Sequence, residues 1–300
     1  MRQLAKRAVE SLLGGENRTR ARLRQLRGVR FVLAYHNVVA THLPPVGGDQ
    51  SLHLPLHRFR EQLDVLAALG IPVVAVDAPL APDATPTAAI TFDDAYAGVC
   101  EHAIPELQRR GIPATIFVTP GLLGARAPWW DCLASPELGA VPASMRAQAL
   151  WESRGEGEAI LAHARTSGWP LHTPLPVHRI ASEEELTAAM ATAPLLSLGV
   201  HTWSHPNLAA LDKETIASEL SRTASWLRER FPTRWIPEVA YPYGLFTELA
   251  SSVAAEVGLR AGWRVEGGGC TAQDAPFARP RLNITPGLSA AGFRMRLTIG

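Results

Sequence analysis

The chain has 300 residues, of which 47% are hydrophobic and 19% are charged. This is the composition of an ordinary globular protein, large enough for one barrel or two modest domains, and it excludes disorder over most of the chain. The net charge is +1, from 29 Lys and Arg against 28 Asp and Glu. A protein with this charge is not built to coat nucleic acid, and we expect no nucleic-acid partner.

The beginning of the chain is far more basic than the rest. Residues 1–30 hold nine Lys or Arg and two Glu, a net charge of +7, whereas the remaining residues carry −6. Charges interrupt the apolar residues too often for the roughly 7–15-residue core of a secretory signal, and no later stretch approaches the ~20 apolar residues of a membrane span. We therefore expect a cytoplasmic protein.

Residues 1–28 are predicted to form a basic leader of one or two short helices, with a break at Gly14 and Gly15. A solvated basic helix is one interpretation of this segment. Peripheral contact with an anionic membrane surface is the other.

The three cysteines give no sign of a covalent or metal framework. Cys100, Cys132 and Cys270 are far apart and form no CxxC pair, which argues against disulfides and against a thiolate zinc site. We expect reduced cysteines that serve in packing.

Short apolar runs alternate with helical segments through most of the chain after residue 28. Strands are predicted at residues 31–35, 73–76, 89–92, 114–118, 198–200, 239–241 and 260–263, and helices at 57–69, 97–110, 213–230 and 246–257. Gly70 and Gly111 follow two of the helices as stop signals. Alternating strands and helices imply a parallel sheet covered on both faces, either open and doubly wound or closed as a barrel.

This alternation fails between residues 128 and 195. The segment is rich in Ala, Glu and Arg, and helices are predicted at 143–153, 156–166 and 182–191. We interpret it as a helical insertion into a domain that spans residues 29–300. Trp129-Trp130-Asp131, at its start, is either a lid over a cleft or an anchor that packs the insertion on the domain, and we favour the anchor.

Two adjacent carboxylates, Asp93 and Asp94, follow the apolar run that is predicted as a strand at 89–92. Active sites of parallel α/β folds collect at the carboxyl ends of strands. One carboxylate can bind a metal ion there while the other stays available to take a proton. In the alternative interpretation, Asp94 caps the next helix and Asp93 is a turn residue.

His201 and His205 directly follow another predicted strand end. Two imidazoles four residues apart on a helical turn can converge on one ion, and one carboxylate completes a two-histidine, one-acid set with open positions for water and substrate. A third strand end carries Tyr241-Pro242-Tyr243-Gly244. Its Pro and Gly form a tight turn that can aim an amide N–H at a developing oxyanion.

Together, these three motifs resemble those of the NodB-like polysaccharide deacetylases of carbohydrate esterase family 4. The matching segments, in order, are Thr91-Phe92-Asp93-Asp94, His201-Thr202-Trp203-Ser204-His205 and Tyr241-Pro242-Tyr243-Gly244. The resemblance covers most of residues 29–285, apart from the insertion. It implies an α/β fold, a deformed (β/α)7-type barrel with parallel strands, and metal-dependent removal of an N-acyl group from an amino sugar.

The resemblance also implies roles for particular residues. Asp94, His201 and His205 would bind the metal, Asp93 would be the general base, and the Tyr243 amide would form part of an oxyanion hole. Pro242 and Gly244 of the same turn, and Trp263 as part of an acyl pocket, are expected to contact the substrate, although an aromatic residue on a strand is more often part of the core. One divalent ion per chain is expected, with zinc the best match to a ligand set of two nitrogens and one oxygen.

Two positions depart from the family pattern. Ala240 stands where the family usually has an Arg that pairs with the catalytic Asp, and we expect Arg281 to replace it, with Arg264 as the other candidate. The C-terminal strand lacks the family's usual general-acid His. Tyr35-His36 resembles the equivalent strand of a circularly permuted branch, the poly-N-acetylglucosamine deacetylases, so we expect His36 to be the general acid; the alternative is a buried His that is hydrogen-bonded at a strand end.

The expected function is metal-dependent hydrolytic N-deacetylation of an N-acetylated amino sugar. A lipid-linked or nucleotide-linked sugar, or a soluble intermediate of glycan assembly, is favoured because the sequence shows no secretory signal. The alternative is a catalytically inactive barrel that binds sugar, which Ala240 suggests. The set of Asp93, Asp94, His201 and His205 weighs against it, because a binding module needs no carboxylate beside a metal.

Overall fold

The computed structural model describes residues 15–41 and 48–298. Seven parallel strands form a sheet that curls into an incomplete barrel, in the order β8-β7-β6-β5-β4-β1-β9, and β2 and β3 form a separate parallel pair. The strands are β1 Arg30–Tyr35, β2 Asn37–Val39, β3 His53–Pro55, β4 Thr87–Asp93, β5 Ala114–Val118, β6 Leu196–Val200, β7 Trp235–Ala240, β8 Ala261–Trp263 and β9 Leu282–Asn283. The predicted deformed (β/α)7 barrel is confirmed.

α-Helices surround this sheet. They are α1 Glu16–Leu23, α2 Leu56–Leu69, α3 Ile104–Arg110, α4 Trp129–Leu133, α5 Ala143–Trp151, α6 Gly157–Ser167, α7 Glu183–Thr192, α8 Lys213–Arg230, α9 Glu248–Glu256 and α10 Ala290–Arg296. Gly70 and Gly111, with φ of 68° and 64°, end α2 and α3 as predicted. Both adopt the left-handed conformation that glycine tolerates at a helix C-terminus.

The side chains on the two faces of a strand pack in different parts of the core. Phe31, Leu33 and Tyr35 of β1 lie in the large apolar layer between sheet and helices. Val32 instead packs with Phe117 inside the barrel. Because strand side chains alternate between faces and both faces are buried, the strands read as continuous apolar runs in the sequence.

Two predicted elements differ in the structure. The segment predicted as a strand at 73–76 makes only an isolated parallel bridge, from Val73 to Ala88. The helix predicted over 97–110 is a π-helical segment, Val99–Ala103, followed by α3. Pro105 explains the break, since its missing N–H removes one helical hydrogen bond and the preceding turn widens.

The insertion divides into two parts. Trp129, Trp130, Leu150 and Ile160 of helices α4 to α6 belong to an apolar cluster separate from the main core. Leu186 of α7 lies in the main core instead, so α7 packs like a regular helix of the barrel. The division into a leader at 1–28 and a domain at 29–300, interrupted at 128–195, stays a prediction.

The described part of the basic leader lies at the amino ends of the strands. The side chain of Arg20 donates to the carbonyl of Ala68, at the end of α2, and Gly28 donates to Ala84, just before β4. The break predicted at Gly14 falls on the border of the described residues. Within residues 15–41 and 48–298, no helix is long and apolar enough to cross a membrane.

Candidate active site

The carboxyl ends of the strands surround a cavity of about 280 Å³. Asp93 ends β4, His201 follows β6, and His36 follows β1. Parallel strands deliver their carboxyl ends to the same edge of a barrel, so residues far apart in sequence meet there. The cavity is lined by His36, Asp93, Asp94, His201, His205 and Tyr243, together with residues of the insertion.

Asp94, His201 and His205 form a compact group of three potential metal ligands. Asp94 Oδ1 lies 3.4 Å from His201 Nε2 and 3.1 Å from His205 Nε2, and the two Nε2 atoms are 3.1 Å apart. Ligand atoms at about 2.0–2.1 Å from a tetrahedral zinc ion are separated by about 3.4 Å. The three side chains are buried, and their spacing fits one small divalent ion.

The hydrogen bonding of His201 supports the same interpretation. Its Nδ1 lies 2.7 Å from the carbonyl oxygen of Ala240, so Nδ1–H donates and Nε2 is the nitrogen that faces Asp94. An imidazole that binds a metal through one nitrogen usually donates from the other in this way. Burial raises the pKa of Asp94, but the charges and hydrogen bonds of His205 and His201 outweigh this and hold the pKa well below its usual value.

The loop that carries the two histidines is not the helical turn that its spacing predicted. Thr202 and His205 both have φ of 63°, in the left-handed region. Glu219 of α8 accepts hydrogen bonds from the amides of Trp203 and Ser204, each at 2.8 Å. A carboxylate that satisfies two backbone N–H groups stabilises this non-helical turn, because those donors then need no helical partners.

Asp93 pairs with Arg281, one of the two arginines that the sequence offered. Nη1 and Nη2 of Arg281 lie 2.8 and 2.7 Å from Oδ1 and Oδ2 of Asp93. Arg264 instead donates to the carbonyl of Ala278. Burial raises the pKa of Asp93, but Arg281 and then His201 outweigh this effect and lower the pKa below its usual value. The carboxylate is therefore ionised at neutral pH.

His36 follows β1, is partly exposed as a residue, and lines the cavity. Its role as general acid and the alternative, a buried histidine that is hydrogen-bonded at a strand end, both stay predictions. Burial lowers the pKa of His36, against the raising effect of Asp93 and Asp94.

The turn at Pro242–Gly244 brings Tyr243 to the cavity. Tyr243 has φ of 59°, and Gly244 follows it with φ of 72°. Within the described chain, the amides of Tyr241 and Gly244 donate backbone hydrogen bonds, whereas that of Tyr243 donates none. An amide without an internal acceptor at the cavity wall has the properties of an oxyanion donor.

Trp263 does not line the cavity. Its side chain is fully buried inside the barrel beside Ala240, and its indole N–H donates to Glu238 Oε2 at 2.8 Å. The expected contact with an acyl group is therefore wrong for Trp263. Strand β8 turns this side chain toward the barrel interior, so Trp263 is the core aromatic of the alternative interpretation.

The insertion contributes cavity residues that the sequence analysis did not assign. The Trp130 ring packs against His205, with centroids 4.8 Å apart. Arg146 also lines the cavity, 3.6 Å from Asp49 Oδ2. The Trp129-Trp130 pair was a visible signal, but Arg146 is one of many charged residues in the insertion and nothing marked it.

A second group of two histidines and a carboxylate lies nearby: His53, Asp131 and His178. His53 Nδ1 faces the Asn37 amide nitrogen at 3.1 Å, and His178 Nδ1 accepts from the amide of Leu175 at 3.2 Å. Both Nδ1 atoms are thus acceptors, which places the ring protons on Nε2. His53 Nε2–H then donates to Asp131 Oδ1 at 2.9 Å, whereas the buried Nε2 atom of His178 has no hydrogen-bond partner among the described residues. Hydrogen bonding therefore accounts for His53 and Asp131 but not for His178.

A family model for polysaccharide deacetylases matches residues 81–262, which include Asp93, Asp94, His201 and His205. The chain belongs to the polysaccharide deacetylase family. The resemblance to NodB-like deacetylases that the motifs predicted is confirmed. As a member of this family, the protein is a carbohydrate deacetylase, a hydrolase of amide bonds.

Solved structures show the same fold at low sequence identity. The Streptococcus pyogenes deacetylase PplD, in complex with acetate, matches with a TM-score of 0.62 and 15% identity over 91% of this chain and 99% of its own. IcaB from Ammonifex degensii matches with a TM-score of 0.60 and 21% identity over 89% and 97%. A de-N-acetylase from Aggregatibacter actinomycetemcomitans gives 0.61 and 15% over 86% and 95%. No curated protein sequence matches significantly.

Proposed function

We propose that the protein is a metal-dependent hydrolase that removes the acetyl group from an N-acetylated amino sugar. The observation that carries this proposal is the ionised carboxylate of Asp93, paired with Arg281 and adjacent to the group of Asp94, His201 and His205. A site that only binds sugar has no use for a base next to a metal site.

Asp94, His201 and His205 would hold one divalent ion, and zinc suits two nitrogens and one oxygen. When bound, such an ion supplies a Lewis acid that polarises a carbonyl and lowers the pKa of water from ~15.7 toward ~7. Asp94, whose pKa is held low, meets the requirement that ligands be deprotonated, and the metal would bind His201 through Nε2 in competition with a proton.

The chain's own groups would then complete the hydrolysis. Asp93 accepts the proton of the water that attacks the amide carbon. The Tyr243 N–H donates to the carbonyl oxygen as negative charge develops on it. His36 must first take up a proton, which the charges of Asp93 and Asp94 favour against the effect of burial, and it then donates this proton to the amine nitrogen as the C–N bond breaks. The products are acetate and a primary amine, and His36 and Asp93 regain their starting states by proton exchange with solvent.

The cavity offers groups that suit a sugar ring. Arg146 and Asp49 supply hydrogen-bond donors and acceptors for hydroxyl groups, and Trp130 supplies an aromatic wall. A groove of about 470 Å³ shares Ser51 and Ala140 with the cavity. We propose that this groove takes the part of the substrate beyond the reacting sugar.

We propose a glycan, a nucleotide-linked sugar or a lipid-linked sugar as the substrate, and a cytoplasmic site of action. Arg20, Arg24 and Arg27 of the leader lie near Gly70 and Pro86, at the amino ends of the strands. The cavity opens at the carboxyl ends. A leader bound to an anionic membrane would therefore hold the cavity away from that surface. This arrangement favours the glycan and nucleotide-linked substrates over the lipid-linked one.

The direct test is product release by the metal-loaded, full-length chain. We would supply N-acetylglucosamine oligomers, a nucleotide-linked N-acetylamino sugar and a lipid-linked one, and measure acetate and primary amine together. We expect equal amounts of both products from at least one substrate. Binding without either product would instead support the inactive sugar-binding barrel.

A further inference from the structure

The Tyr243 turn is held in a disfavoured backbone conformation. With φ of 59° and ψ of 3°, Tyr243 lies in the left-handed region, which side chains other than glycine rarely adopt. The direction of its N–H depends on this conformation. A turn of this kind persists only where the surrounding structure holds it.

The helical insertion supplies contacts that hold the Tyr243 side chain. The Trp129 indole N–H donates to the Tyr243 hydroxyl at 3.0 Å. That hydroxyl lies 3.2 Å from the carbonyl oxygens of Gly155 and His205, one of which accepts its proton. The Tyr243 ring also packs edge-on against His205, with centroids 4.6 Å apart.

These contacts come from a part of the insertion that is itself firmly attached to the barrel. Asn207, two residues after the last histidine of the metal group, donates from its side chain to Leu150 at 3.0 Å and from its amide to Arg154 at 2.8 Å. Gly155 packs so closely that a Cβ there would lie 2.7 Å from the Asn207 amide and 3.0 Å from the Tyr243 ring.

A second attachment runs through the Trp130-Asp131 pair. Trp130 Nε1 donates to the Tyr96 hydroxyl at 2.8 Å, and that hydroxyl donates to Asp131 Oδ2 at 2.7 Å. Asp131 in turn accepts from His53 on β3. All of these side chains are buried, and a buried, fully paired network of this kind is rigid.

We infer that the insertion is a fixed part of the active site, in which Trp129 is a positioning residue that holds Tyr243 so that its N–H points at the developing oxyanion. This inference rests on the proposed deacetylase function. The insertion is then neither a moving lid nor a segment that serves in packing alone. The insertion then determines the strength of oxyanion stabilisation, whereas the metal group and the sugar-binding groups are complete without the Trp129 hydrogen bond.

The test compares Tyr243→Phe and Trp129→Phe with the wild-type chain. Both variants keep an aromatic ring and remove the hydrogen bond between the two side chains. We expect kcat to fall about 3- to 10-fold, the weight of a single hydrogen bond, with KM and the metal content per chain unchanged. The double variant should lose no more than the larger single loss, because both changes break the same contact.

Trp151→Phe is the matched control, since Trp151 is an insertion tryptophan with 55% of its surface exposed. Its kcat should equal that of the wild type. Multiplicative losses in the double variant, an unchanged kcat in both single variants, or a loss of bound metal parallel to the loss of kcat would each overturn the positioning role. A wild-type chain that carries metal but releases no acetate from any substrate would overturn the proposed function itself.

Discussion

Both terminal guanidinium nitrogens of Arg281 lie within hydrogen-bond distance of the Asp93 carboxylate, at 2.8 and 2.7 Å, and both side chains are buried. Arg281 directly precedes β9, whereas Ala240, where the resemblance to the family led us to expect an arginine, lies at the end of β7. Strand β9 pairs with β1, and β1 pairs with β4, which ends at Asp93. Because of this sheet order, an arginine next to β9 pairs with Asp93, and no arginine at the end of β7 is needed.

Arg281→Met should nearly abolish turnover and destabilise the protein. Removing one partner of a buried ion pair costs about 3–5 kcal/mol because the other charge is left without compensation. Asp93 would then hold a proton and lose its capacity as a base. Arg281→Lys keeps the charge but not the two-pronged contact, so we expect intermediate values of kcat and of the free energy of unfolding.

Arg264→Met is the control, since Arg264 contacts a backbone carbonyl and not Asp93. Its kcat should stay close to that of the wild type. Equal losses in the Arg264 and Arg281 variants would show that the pairing with Asp93 is not what supports turnover.

His36→Ala should reduce kcat about 10²- to 10⁴-fold for an N-acetyl sugar, the usual weight of a general acid. The loss should shrink for an aryl acetate ester, because its leaving group departs without a proton. Steady-state kinetics on both substrates measure the difference. His57→Ala, a change at an exposed histidine of α2, is the control. An equal loss of kcat on the amide and on the ester in the His36→Ala variant would show that His36 is not the general acid.

Glu219→Gln should weaken metal binding about 10- to 100-fold, as changes just outside a ligand set typically do. The Glu219 carboxylate shapes the turn between the two histidines through the amides of Trp203 and Ser204, and an amide side chain offers a single, weaker acceptor. Competition with a chelator measures the affinity. Glu229→Gln, on the exposed side of the same helix, is the control and should bind metal with the affinity of the wild type. A wild-type affinity in the Glu219→Gln variant would show that the turn does not depend on the Glu219 carboxylate.

Stability should depend on pH through Glu106. Burial raises its pKa, but hydrogen bonds from Arg109, Arg110 and Arg60 outweigh this and lower the pKa to about 2. The pKa of Glu106 is thus lower in the folded state than in the unfolded state, where it is about 4.3. The ionised carboxylate therefore stabilises the fold fully above pH ~4.3, and this stabilisation is lost as the pH falls toward 2. Since Arg60 and Arg109 are largely exposed, we expect only about 1–2 kcal/mol.

Urea unfolding of Glu106→Gln at pH 7, 5 and 3 checks this effect. The difference from the wild type should be largest at pH 7 and smallest at pH 3. Glu61→Gln, at a more exposed ion pair with Arg58, serves as control. A difference that stays constant with pH would mean that the ionised carboxylate of Glu106 does not contribute to stability.

Much of the fold was predictable because it depends on local patterns. Buried strands alternate with amphipathic helices, and Gly70 and Gly111 follow two of the helices. Each of these signals lies within a short segment of the sequence. The strand predicted at 73–76 was wrong because a short apolar run does not reveal whether neighbouring strands leave it a partner. The π-helical start of the 97–110 helix depends on one proline, and helical periodicity alone does not show it.

The metal group was predictable because its residues sit in short motifs at strand ends. The contacts that shape it come from distant segments. Glu219 lies on a long surface helix, and Trp130 lies in the insertion. Hydrogen bonds across such distances leave no periodic signal, and the choice between Arg281 and Arg264 required the sheet order.

The central claim is that Asp93 is the base and that Asp94, His201 and His205 hold the metal. Metal content per chain and amine release, measured together on the wild type, Asp93→Asn and His205→Ala, test it most directly. We expect about one metal ion per wild-type chain, as one complete ligand set implies. Asp93→Asn should retain its metal and lose nearly all turnover, and His205→Ala should lose both. An active Asp93→Asn enzyme, or a His205→Ala chain that keeps its full metal content, would contradict the claim.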